Sequence, residues 1–226
     1  MKKVQRSQNL ITRRDFLCGT AGLALATALP ACSETPKTLQ NPTSGPKISS
    51  VTDQELQVSC SWVAKGEHEN SYNIYKKTVE AATDFSWLSK GDRVLIKLAL
   101  NSGNTYPATT DPWSVRCMVK LLKERGAGKI FVGDQGGFGT VHWTKDRKEG
   151  SSRELAETAG LLKAIDASVA EPCFFEEYGW DAYQPATPDG KHHWKTPIMV
   201  PSKLDEVDHI IYLPRVSSHI LAGKTL

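Results

Sequence analysis

The sequence predicts an α/β domain: a mainly parallel sheet flanked by helices and built on a βαβ unit. Three observations carry that expectation. Arg93 to Leu98 is a short, β-branched, nearly continuous apolar run, the kind buried on both faces of a parallel sheet. Lys129 to Gly133 is a second strand-like run. Between them Asp111, Pro112 and the stripe Val115, Met118, Val119 and Leu122 spell a capped amphipathic helix, ended by Gly126 and Gly128. Strand, helix and strand within about 40 residues are expected to be parallel and right-handed.

The other elements follow in order. Val58, Cys60 and Trp62 alternate with polar residues, the pattern of a half-buried strand. Tyr72, Tyr75, Val79 and Ala82 recur at helical spacing, and Ser89-Lys90-Gly91-Asp92 is a turn. Ser151 and Glu154 form a capping box opening a helix to about Ile165, with Leu155, Leu161, Leu162 and Ile165 buried. Val169 to Glu176 reads as a strand weakened by Pro172. Tyr178 to Thr196 is rich in aromatics, Pro, Gly and His without periodicity and reads as a long loop. Ile198 to Val200 and His209 to Leu213 read as two further strands.

Ahead of the domain lies a leader. Residues 1–31 read as a twin-arginine signal peptide: basic residues, then Arg13-Arg14-Asp15-Phe16-Leu17, then an uncharged and mostly apolar run. As a helix, Phe16 to Leu29 would cover roughly 21 Å, short of a hydrocarbon core of about 30 Å. A signal peptide fits better than a membrane anchor. Leu29-Pro30-Ala31-Cys32 resembles a lipobox, with Cys32 the lipid-attachment site, although Pro30 replaces a small residue. Ala26-Thr27-Ala28 offers a competing cleavage site. Residues 32–47 read as a flexible tether, and residues 48–226 as one α/β domain. The expected partners are the twin-arginine translocation machinery and, through the lipid, a membrane; the expected location is the periplasm or cell surface.

Charge narrows the function classes. The chain carries +3 overall, but the leader alone holds five Lys/Arg against one Asp, leaving the remainder at −1. Nucleic acid is therefore not an expected partner. Outside the leader and Cys32, only Cys60, Cys117 and Cys173 remain, widely spaced and without a C-x-x-C. They read as small buried hydrophobes, with one disulfide as the rival, and supply no zinc or iron–sulfur set.

Ligands of a parallel sheet gather beyond the carboxyl ends of its strands. Here that rule selects Lys97 to Asn101, Gly133 to Gly139 and Pro214 to His219. The same segments carry a family likeness. Val94-Leu95-Ile96-Lys97-Leu98-Ala99-Leu100-Asn101, Thr110-Asp111-Pro112, Leu121 to Ala127, Val132-Gly133-Asp134 and Leu213 to Gly223 resemble the domain-of-unknown-function 362 family, from about Val58 onward. The resemblance implies an α/β protein, in a family where some members carry a ferredoxin-like iron–sulfur segment and some have twin-arginine leaders. Its activity is not established, so the resemblance implies architecture more than reaction. The chain departs from the family pattern at Lys97-Leu98-Ala99-Leu100-Asn101, where Lys-Pro-Asn is usual, and at Ser217, where a Lys is common. Gly223-Lys224-Thr225-Leu226 ends where the family continues, which reads as a shortened chain; an iron–sulfur cluster is expected only if a further segment supplies cysteines.

The candidate site residues come from that rim. Lys97 beside Asn101 would hold a phosphate or carboxylate, and Arg215 would clamp an anion. Asp134, in a glycine-rich loop matching no nucleotide fingerprint, would ligate a metal or hold a hydroxyl, with a plain loop equally open. His219 would serve as acid/base or metal ligand. His192 and His193 point oppositely in extended chain and fit a surface loop better than a metal pair. His142, near Trp143, carries no signal of its own, and no nucleophile elbow or H-E-x-x-H helix is present. The leading expectation is an exported, redox-associated protein binding an anionic cofactor, metal or substrate at the strand ends. The rival is a non-catalytic lipoprotein binding module.

Overall fold

A computed structural model describes residues 58–64, 66–137, 139–187, 193–215, 217–219 and 223–225, the last two stretches as backbone only. The leader, Cys32, His192 and the side chain of His219 lie outside the described residues.

The elements run α1 (Tyr72–Glu80), β1 (Arg93–Leu98), α2 (Pro112–Glu124), β2 (Lys129–Asp134), β3 (His142–Trp143), β4 (Lys148–Glu149), α3 (Ser152–Thr158), α4 (Leu161–Asp166), β5 (Glu171–Phe174), β6 (Tyr183–Ala186), β7 (Ile198–Pro201), β8 (His209–Leu213), β9 (Ser217–His219) and β10 (Gly223–Thr225). The central sheet has the order β5-β2-β1-β8, and each of its neighbouring pairs is parallel. Three short antiparallel pairs lie outside it: β3–β4, β6–β7 and β9–β10.

The chain thus builds outward from β1 to β2 to β5, then returns to add β8 on the opposite side of β1. Strand order reverses between β1 and β8, which makes their carboxyl ends the topological switch point.

Each element forms for local reasons. Asp111 caps α2 by accepting from the Trp113 and Ser114 amides, and Pro112 occupies a first-turn position where a missing N–H costs nothing. That helix buries Val115, Val119, Leu121 and Leu122 against Val94, Ile96 and Leu98 of β1 and Ile130 and Val132 of β2. Leu161 and Ile165 of α4 join the same core. The opposite sheet face is thinner: Leu95, Phe131, Cys173 and Phe175 cluster under Tyr183, Leu204 and Val207.

Five expectations need correction. No strand forms at Val58 to Trp62, and Val58 and Trp62 are exposed, because the alternation has no neighbouring strand to pair with among the described residues. Cys60 is exposed too, while Cys117 and Cys173 are buried; all three are unpaired. The helix expected from Ser151 to Ile165 is two helices, divided at Gly160, whose φ of +77° is left-handed. The Tyr178–Thr196 stretch is not a plain loop: Tyr183–Ala186 pairs antiparallel with Ile198–Pro201. The strand beginning near Val169 is shorter than expected, and its last residues turn into a 3₁₀ segment, Phe175–Tyr178.

Candidate functional site

Lys97 is the next-to-last residue of β1, Asp134 the last residue of β2, and the two strands are hydrogen-bonded neighbours. Their side chains meet: Lys97 Nζ lies 2.9 Å from Asp134 Oδ1. The ammonium also donates to the Leu98 carbonyl at 3.2 Å and sits 4.9 Å from the centroid of the Tyr212 ring. Tyr212 lies opposite Lys97 in the β1–β8 register, so the cation stands at the switch point. Its side chain is 42% exposed and that of Asp134 only 10%. The ion pair therefore has one dry end and one wet end.

Asp134 is committed to the scaffold. Besides Lys97 it accepts from the Leu100 amide at 3.2 Å through Oδ2 and from the Gln135 amide at 2.9 Å through Oδ1. Burial pushes its carboxyl above the ordinary Asp range, against the opposing pull of Lys97 and the two amides. The fold's preference for the protonated carboxyl is fully present below that ordinary range and is lost as pH rises through the raised value.

The rest of the rim is organised around this pair. The Thr110 hydroxyl donates to the Leu213 carbonyl at 2.7 Å and accepts from the Ala99 amide at 2.8 Å, stitching the ends of β1 and β8 together. Asn101 is exposed and borders Gly137 of the glycine-rich loop. Gly133 is required by close approach: a Cβ there would come 1.7 Å from the Cys173 carbonyl oxygen of β5. Arg215 is half-buried beyond β8 and makes no ion pair among the described residues. The His219 backbone lies in β9, paired with Gly223 of β10.

Of the residues expected from sequence, the structure brings Lys97 and Asp134 into contact and Asn101 to the same rim. Among the described residues, no group of three or more His, Cys, Asp or Glu side chains converges to hold a metal. Asp134 bonds to Lys97 and to two backbone amides.

Sequence reasoning missed a second polar chain. The Gly136 amide donates to Ser152 Oγ at 2.7 Å, and the Ser152 amide donates to Glu176 Oε1 at 2.6 Å. Tyr183 donates its hydroxyl to Gln135 Oε1 at 2.6 Å. The one available signal was Glu176 itself, a carboxylate directly following the apolar Cys173-Phe174-Phe175 run.

A four-stranded parallel sheet flanked by helices defines an α/β protein, without specifying a reaction. The sequence model of the family described as domain of unknown function (DUF362) matches residues 94–226, from β1 onward, and the chain belongs to that family. No curated protein and no solved structure matches it.

Proposed function

We propose that the protein binds a small anionic ligand at the carboxyl rim of its sheet, with Lys97 as the anchor and Asn101 and Arg215 beside it. The supporting observation is the placement of Lys97. It is a half-exposed ammonium held by a buried carboxylate at the point where strand order reverses. Asp134 fixes the direction of the ammonium, and Tyr212 supports it from beneath through its π-face. A phosphate or carboxylate oxygen reaching the wet side of Lys97 gains a charge-assisted hydrogen bond without displacing Asp134.

The wider reading is an exported, redox-associated protein that presents this site outside the cytoplasm. It rests on the twin-arginine leader, because that route carries folded and often cofactor-loaded cargo. A second reading, a non-catalytic binding lipoprotein anchored through Cys32, is favoured by the state of Asp134. Its oxygens are already engaged by Lys97, Leu100 and Gln135, which suits positioning better than proton transfer.

The test is titration of the folded protein with inorganic phosphate and with succinate, followed by backbone amide resonances of residues 97–101 and 133–137. Saturable shifts in the wild type, lost in Lys97→Met and weakened in His219→Ala, are expected. Unchanged binding by both variants would overturn the site. Cofactor-derived colour in native-host material would favour the redox reading over the binding module.

A further inference from the structure

A cleft of about 430 Å³ lies on the outer surface of the helical layer, between α2 and the turn that joins α4 to β5. That volume falls within the range of small-molecule sites, roughly 300–1,000 Å³. Helix α2 contributes Arg116, Lys120 and Lys123, which are spaced four and three residues apart, share one side of the helix and line the same space. Its charges are one-sided. Glu124 is the one carboxylate in the lining, and it already accepts from Lys76 at 2.7 Å, which holds its carboxyl below the ordinary Glu range. Arg116 comes no nearer than 3.9 Å to the Glu69 carboxylate, which is 81% exposed. Lys120 Nζ stands 4.0 Å from the centroid of the Tyr72 ring, and Lys123 donates to the Ala127 and Gly128 carbonyls. Neither lysine pairs with a carboxylate among the described residues. A ring face or a carbonyl engages an ammonium without neutralising it. The residues after the leader sum to −1, so three cations around one cleft run against the domain's own balance.

We propose that this cleft binds a phosphate monoester carrying a short apolar body. A phosphate monoester, with a second pKa of about 6, is close to a dianion at neutral pH and presents three strong acceptor oxygens to the three cations. A carboxylate offers one charge and two oxygens, and leaves more of the positive charge unmatched. The rest of the lining is apolar: Val119 of α2, Ala167 and Val169 of the turn, and the methylene stems of the two lysines. Val169 is 72% exposed, so a few carbons laid over it remove apolar surface from water. The cleft shares no residue with the Lys97 site, so the two readings stand or fall separately.

The experiment titrates the folded protein with n-hexyl phosphate, inorganic phosphate and n-hexyltrimethylammonium, and follows the backbone amides of Val119, Lys120, Ser168 and Val169. Hexyl phosphate is expected to shift them saturably, and to bind at least about tenfold more tightly there than inorganic phosphate. Lys120→Met keeps the stem and removes the charge at an exposed position, and should weaken hexyl phosphate by about fivefold or more. Val169→Ser should remove most of the advantage of the hexyl chain while leaving inorganic phosphate unchanged. Lys97→Met should give the wild-type response at these four amides. Unmoved amides, wild-type affinity in Lys120→Met, equal affinity for hexyl and inorganic phosphate, or an equal response to the ammonium would each overturn the proposal. So would a response confined to residues 97–101 and 133–137, which would assign the ligand to the strand-end rim.

Discussion

The two faces of the central sheet are built to different standards. On one face, α2 and α4 lay a continuous aliphatic layer over Val94, Ile96, Leu98, Ile130 and Val132. On the other, a small cluster around Leu95 and Phe131 is covered by short turns and the β6–β7 pair, while Ile210 and Tyr212 of β8 are 53% and 44% exposed. Parallel sheets ordinarily need both faces covered. The helical face supplies stability; the thin face carries Lys97, Tyr212 and Tyr183, the side chains with chemistry to offer.

That contrast can be broken by mutation. The largest effect is expected from Ile96→Ala, which empties a fully buried position on the helical face and should cost about 2–5 kcal/mol in urea denaturation. Ile210→Ala on the thin face should stay within about 0.5 kcal/mol in the same assay. Equal losses at the two sites would mean the faces are equivalent after all. Gly133→Ala is next: its methyl would run into the Cys173 carbonyl, costing about 1–3 kcal/mol and loosening β5, seen as faster amide exchange at Cys173 and Phe174. Asp111→Ala should cost about 1 kcal/mol by uncapping α2, again in urea denaturation.

The smallest effect sharpens the pH dependence. The Arg93 guanidinium and amide hold the Asp208 carboxyl down at about 2. Its contribution is present above the ordinary Asp range and is lost as pH falls toward about 2. Asp208→Asn should flatten the acid limb of a thermal-melting profile between those values. An unchanged limb would show that the exposed pair contributes nothing.

The same contrast explains what was legible beforehand. Strand β1, helix α2 and strand β2 announce themselves through local signals: a continuous apolar run, Asp111-Pro112, and glycines where the helix stops. The β6–β7 pair does not. Its strands contain Pro185 and Pro201, show no clear alternation, and become strands only by pairing across an 11-residue gap, even though that gap holds the turn signal Pro188-Asp189-Gly190. The false strand at Val58 to Trp62 is the converse, a pattern without a partner. At the site, the strand-end rule brought Lys97 and Asp134 together because both terminate adjacent strands. The Ser152–Glu176 and Gln135–Tyr183 bonds span 24 and 48 residues. No spacing rule reaches so far.

The late arrival of β8 has a kinetic consequence. Arg93 bonds Asp208 across 115 residues and Asp92 meets His209 across 117, so docking β8 closes a loop spanning half the chain. Loops of that length form slowly compared with the β1–α2–β2 unit. The nascent domain should therefore pass through a stage in which β1, β2 and β5 are paired while the far edge of β1 is bare. Pulse-labelled hydrogen exchange should find the β8 amides protected last. Until then the rim at Lys97 lacks the Tyr212 ring beneath its cation, so that edge would be the last part of the sheet to be completed.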